Sequence, residues 1–130
     1  YFTIGNLDAK RDWGYAPEYV EAMWLMLQSN KPQDLVIASG ETHSVREFIE
    51  KAFVIAGYNI EWEGTGLEEK GICSKSKKIL VKIDPYYFRP TEVDLLHGNP
   101  SKALKQIGWK AKTKFDQLVK IMMESELDKI

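Results

Sequence analysis

Apolar positions along the chain follow two periods, and the switches between them outline alternating strands and helices. Residues 1–4 are a β-prone run closed by Gly5-Asn6, which predicts a strand entering a turn, and residues 6–15 are polar enough to predict a loop. Pro17 sits where a first helical turn tolerates it. Tyr19, Val20, Met23, Trp24 and Leu27 then recur at helical spacing up to Ser29-Asn30, so a helix with a large apolar face is expected. The short apolar run Leu35 to Ala38, bounded by Gly40, predicts a buried strand. Ser44 with Glu47 three residues later forms a capping-box signature. It opens a helix whose inner face is Val45, Phe48, Ile49, Ala52 and Phe53 and which ends near Gly57.

Tyr58, Ile60 and Trp62 alternate with polar neighbours as in a half-buried strand. The glycine-rich, charged stretch from Gly64 to Ser76 predicts a loop that is mobile unless a ligand or partner orders it. Ile79, Val81 and Ile83 alternate again, and Pro85 ends that strand. Asn99 caps a helix with Pro100 at its first position, followed by Ala103, Leu104, Ile107 and Gly108. Thr113 caps a last helix with the face Phe115, Leu118, Val119 and Met122. Repeats and low-complexity tracts are absent. The expectation is a mixed α/β fold, with residues 1–130 forming one unit.

Charge changes this picture by exclusion. Eighteen Lys and Arg against 19 Asp and Glu give a net charge of -1, so no global basic field draws nucleic acid or an anionic membrane. Any anion site must be local. The longest apolar run, Ala22 to Leu27, falls far short of the ~20 residues that span a bilayer. One cysteine among 130 residues forms no internal disulfide, which suits a reduced, intracellular setting. The chain opens at Tyr1 with neither an initiator Met nor a signal-like stretch, so a piece of a longer protein is expected.

Several chemistries can be set aside. His43 and His97 are far apart and lack companions at metal-ligand spacing. Cys73, in a lysine-rich loop, reads as an exposed residue rather than a nucleophile. Gly64-Thr65-Gly66 lacks the third glycine of a dinucleotide fingerprint, and no tyrosine is followed by a lysine four positions later. What remains is two arginine-centred loops. One carries Asn6, Lys10 and Arg11, with Trp13 close by. The other carries Arg89 beside Pro90, with Glu92 three residues further on. An arginine fork binds diphosphate oxygens and a nearby carboxylate accepts from ribose hydroxyls, so the loops can hold a nucleotide. Equally, each arginine can form a surface pair with Asp12 or Glu92.

The stretches GNLDAKRDWGYAPEYVEAMWLMLQ, VIASGETHSVREFIEKAF and YYFRPTEVDLLHGNPSKALKQIGWKAKTKFDQLV resemble the C-terminal part of the GDP-mannose 4,6-dehydratases, which are extended short-chain dehydrogenases. Tyr15 departs from the histidine expected in the Arg-Asp-Trp-Gly-His stretch, and the Gly64 to Lys78 loop matches less closely. The resemblance implies the C-terminal substrate-binding lobe of an NAD(P)-binding Rossmann-type enzyme, with the classical Rossmann half absent from this chain. In the longer protein it implies NADP-dependent conversion of GDP-mannose to the 4-keto-6-deoxy sugar nucleotide used for GDP-fucose. There the C4 hydroxyl is oxidised, water leaves across C5 and C6, and the hydride returns at C6. The catalytic groups and the cofactor loop would lie in the N-terminal portion, leaving this lobe inactive alone. The partners implied are GDP-mannose, the N-terminal portion and further copies of the whole enzyme, in the cytoplasm.

By motif position the resemblance assigns Arg11 to the substrate diphosphate and Arg89 with Glu92 to phosphate and ribose. Asn6, Lys10, Thr42 and His43 are weaker candidates, and helix capping is the competing role for Thr42 and His43. The apolar face of Tyr19, Met23, Trp24 and Leu27 would pack partly on the absent half, so an exposed apolar patch is expected. A non-catalytic nucleotide or sugar-phosphate binding module, or another nucleotide-sugar dehydratase or epimerase, fits the same residues.

Overall fold

The computed structural model describes residues 1–89, 91 and 93–129. Strand β1 (Phe2–Ile4) pairs in parallel with β6 (Ile79–Ile83), in register Phe2 to Val81 and Ile4 to Ile83. The sheet continues antiparallel through β5 (Lys70–Cys73) to β4 (Ile60–Glu63), giving the order β1-β6-β5-β4. A two-stranded antiparallel ladder joins β2 (Lys10–Asp12) to β3 (Thr42–Ser44). The helices are α1 (Ala16–Leu27), α2 (Val45–Ile55), α3 (Ser101–Ile107) and α4 (Phe115–Leu127). The mixed α/β expectation holds.

Helix α2 forms where its signature is written. The Ser44 hydroxyl accepts from the Glu47 N–H, and the Glu47 carboxylate reaches back to the Ser44 N–H, so two end donors of the helix are satisfied. Its apolar face closes over the sheet. Leu7, Ile49 and Val81 are buried at the centre, with Val45, Phe53, Ile60 and Trp62 around them. A second cluster of Ala22, Ala103 and Trp109 joins α1 to α3. Tyr19 meets Trp109 edge-on at 5.6 Å between ring centroids, and burial, then the charges of Asp12 and Glu18, raise its phenol pKa.

Several expectations need correction. Residues 10–12 are a strand and not loop, because the polar run finds its ladder partner in residues 42–44. Leu35 to Ala38 joins no strand: Leu35 and Ile37 pack on the Trp109 cluster, and Ala38 is buried. An apolar run calls for burial, which packing satisfies here without a ladder. A Cβ on Gly98 would lie 2.2 Å from the Ala38 Cβ, so glycine is what lets the two segments meet.

The Gly64 to Ser76 stretch is ordered rather than open loop. It makes a 3-10 turn at Gly66–Glu68 and then β5, an inner strand with Gly71, Ile72 and Cys73 buried. Gly71 lies across from Trp62 in the ladder, and a Cβ there would approach that indole to 3.0 Å. The glycine that reads as loop is thus a packing requirement. Cys73 is therefore not an exposed thiol, and its contact with Ser76 lowers its pKa.

Helix caps shift slightly. Thr113 does not cap α4, which starts after Lys114; its N–H and hydroxyl instead donate to the Glu18 carboxylate at 3.0 and 2.9 Å. Asn99 Oδ1 accepts from the Ser101 N–H, and Pro100 takes the cap position. Among the described residues, no helix is long and apolar enough to cross a membrane.

Candidate functional site

The parallel pairing of β1 with β6 decides where the two arginine loops go. Both strands run the same way, so the chain leaves each at the same end of the sheet, the carboxyl end where α/β folds bind ligands. The Asp84 N–H donates to Ile4 O at 2.9 Å, carrying the pairing to the last residue of β1. Gly5 then permits contact between the loops: a Cβ at that position would lie 2.1 Å from Tyr87 O.

Between the loops lies a cavity of about 340 Å³ lined by Gly5, Asn6, Arg11, Val45, Tyr87 and Arg89, among others. Arg11 Nη1 donates to Val93 O at 2.7 Å and to Lys10 O at 2.8 Å, which orients its guanidinium and joins the loops. Arg89 makes no hydrogen bond or ion pair with another described residue, and its side chain lines the same cavity. Two arginines lining one polar recess at a sheet's carboxyl end, Arg11 held by its hydrogen bonds and Arg89 exposed, can bind a diphosphate through charge-assisted hydrogen bonds. Three larger cavities offer less to an anion. In one of about 520 Å³ Glu47, Glu50 and Asp116 outnumber Lys51 and Lys120, in one of about 470 Å³ Glu68 and Glu69 offset Lys70 and Lys82, and one of about 490 Å³ is walled by apolar side chains such as Phe48, Phe53 and Met122.

The structure therefore brings together Asn6, Arg11 and Arg89. Glu92 lies outside the described residues. Lys10, Thr42 and His43 are on the adjacent β2–β3 ladder and outside the cavity lining. His43 stacks on Phe115 at 4.0 Å, with Nδ1 3.0 Å from the Glu47 carboxylate. Asn6 has a structural task too: its Oδ1 accepts from the N–H groups of Asp8 and Ala9 at 2.9 and 3.3 Å, closing the turn after β1.

Glu18 and Arg46, which shape this region, escaped the sequence reading, and Asp12, named there only as a surface partner for an arginine, has another task. Asp12 accepts from the N–H groups of Ser39 and Gly40 at 2.7 and 2.9 Å, tying β2 to the turn before β3. Glu18 ties α1 to the segment before α4 through Thr113 and, by its carbonyl, Trp109 Nε1 at 2.9 Å. Arg46, at the start of α2, reaches Asp8 and Glu69. Their partners are distant in sequence, so no local pattern could have found them. Among the described residues no group of side chains suits a metal ion.

Comparison with known proteins gives a consistent result. The model of a family described as GDP-mannose 4,6 dehydratase matches residues 1–122. A Dictyostelium discoideum protein of that name is 58% identical over 98% of this chain and 36% of its own length. The Homo sapiens protein of that name is 53% identical over 98% of this chain and 34% of its own length. The chain thus spans about a third of the curated relatives it matches. RMD from Pseudomonas aeruginosa complexed with NADPH superposes with a TM-score of 0.72 at 17% identity, covering 99% of this chain and 36% of that one. UDP-glucose 4-epimerase from Bifidobacterium longum, in complex with NAD+ and UDP, gives 0.70 at 18% identity, covering 97% and 34%. At these identities the structural likeness concerns the fold.

Proposed function

Since this chain belongs to the GDP-mannose 4,6-dehydratase family, we propose that it is the substrate-binding lobe of an NADP-dependent enzyme converting GDP-mannose to its 4-keto-6-deoxy product. The observation that carries the reading is the convergence of Arg11 and Arg89 on one recess at the carboxyl ends of β1 and β6. In this reading Arg11 and Arg89 hold the diphosphate, Glu92 accepts from the ribose and Asn6 shapes the turn beneath them. Lys10, Thr42 and His43 border the site from the neighbouring ladder.

The residues of this chain do not fit the cofactor, because neither a Gly-x-Gly-x-x-Gly loop nor a Tyr-x-x-x-Lys pair is present. The reading therefore assigns NADP and the reacting groups to the rest of a longer polypeptide. It seats that portion on the exposed face of α1, in a homo-oligomeric cytoplasmic enzyme. This chain's own contribution is binding and orientation of the nucleotide, which fixes the sugar relative to groups elsewhere.

Arg89→Ala in the full-length enzyme tests the assignment. Loss of a charge-assisted contact of about 1.5 to 3 kcal/mol raises KM for GDP-mannose roughly 10- to 150-fold. Steady-state kinetics check this; unchanged KM and kcat refute the role.

A further inference from the structure

The Arg46 guanidinium is held on three sides by groups from separate segments. Nη1 and Nη2 donate to the two Glu69 carboxylate oxygens at 2.6 and 3.1 Å, a bidentate pair, and Nη2 also donates to Asp8 Oδ1 at 2.9 Å. Its Cζ lies 4.7 Å from the centroid of the Trp62 ring, and that indole is anchored by Nε1 donating to Glu50 at 2.7 Å. The backbone joins in: the Arg46 N–H donates to Leu7 O at 2.9 Å and the Val45 N–H to Ala9 O at 3.1 Å. The start of α2 thus carries the residue 7–9 turn by both main chain and side chain.

That turn belongs to the loop bearing Asn6 and Arg11. Asp8 sits inside the turn closed by Asn6, so a shift of Asp8 moves Asn6 with it. On the far side, Glu69 belongs to the segment that the sequence presents as an open loop. A small recess lined by Gly5, Asn6, Asp8, Gly66 and Glu69 shows that the two segments abut. The Asp8 side chain is 80% exposed, whereas the Glu69 side chain is only 15% exposed and the Arg46 side chain, shared by both pairs, 23%. Shielding and bidentate geometry make the Glu69 pair the stiffer of the two.

We infer that the Arg46–Glu69 ion pair, stacked on Trp62, is a brace that positions the Gly5–Arg11 loop for the nucleotide. Arg46 and Glu69 are positioning residues that do not themselves touch the ligand. The inference rests on the reading of the Arg11–Arg89 recess as the nucleotide site, and it gives the 64–76 stretch a task in that site. Guanidinium geometry matters here, since a lysine supplies neither the bidentate fork nor the planar stack.

The test uses the full-length enzyme with Arg46→Met, Glu69→Leu, the double variant and Arg89→Ala. KM and kcat are measured for GDP-mannose, and affinity for GDP by calorimetric titration. Each brace variant is expected to raise KM and the GDP Kd together by roughly tenfold while kcat stays within about twofold, and the double variant to do no more than the worse single one. A staple serving stability alone would lower Tm and leave KM and Kd unchanged in the folded enzyme, and that result overturns the brace. If Arg46→Met or Glu69→Leu does not fold, Glu69→Gln, which keeps the size and one acceptor, is read in the same way. A smaller rise in KM and Kd supports the brace and no rise overturns it. An effect of Arg89→Ala without one at Arg46 or Glu69 overturns the brace and leaves the site standing. No effect of Arg89→Ala overturns the site and the brace with it.

Discussion

Helices α1 and α2 both carry apolar residues at helical spacing, the more sharply sided pattern being that of α2, and the two meet opposite fates. In α2 the capping box closes the first turn and Ile49 is buried against Leu7 and Val81. In α1 the N-cap Tyr15 makes no side-chain cap hydrogen bond, and Val20, Met23, Trp24 and Leu27 are 62, 61, 60 and 82% exposed. Met23, Trp24 and Leu27 form the expected apolar patch, whereas Tyr19, expected on the same face, packs inward on Trp109. The contrast teaches that helical periodicity reports which face seeks cover, while the neighbours decide whether it finds any. Helix α1 is held from its other side, through Tyr19, Ala22 and the Glu18 carboxylate, so it is fixed in place with its outer face open.

Substitutions on the two helices separate these cases. Ile49→Ala is expected to cost about 2 to 5 kcal/mol, because it opens a cavity at the centre of the main core; urea unfolding of the 130-residue chain measures it. A cost below about 1 kcal/mol would mean that α2 is not seated as described. Ser44→Ala removes one half of the capping box and should lower stability by about 1 kcal/mol in the same assay. Trp24→Gln should cost less than about 0.5 kcal/mol in this chain, since the indole is mostly in water. A loss of several times that would break the comparison. In the full-length protein the same substitution should cost more if the remainder of the polypeptide covers α1, and thermal unfolding of both forms sharpens the contrast.

Much of the fold can be read from local sequence. The Ser44–Glu47 box, the alternations at residues 60–63 and 79–83 and the helical spacing of residues 16–27 each contain their own explanation. Failures cluster where the partner is remote. Residues 10–12 look like loop until residues 42–44 supply a ladder, and Gly71 looks like loop until Trp62 is seen packed on it. The candidate site divides similarly. Arg11 and Arg89 stand out because each sits in a motif, whereas Arg46 is one more charged residue on a helix until Glu69, Asp8 and Trp62 close around it.

Periodicity, capping and turn chemistry act over a few residues, so the sequence by itself determined helices α1 to α4 and strands β1, β4 and β6, while its long stretches carried the two arginine-bearing segments and the family resemblance. Only the tertiary structure decided that those loops meet. Their meeting depends on β1 lying parallel to β6 and on Gly5 admitting the Tyr87 carbonyl, contacts between segments some eighty positions apart. The covering of α2 and the openness of α1 were settled the same way, because burial belongs to whatever packs against a face and is not written in the face itself.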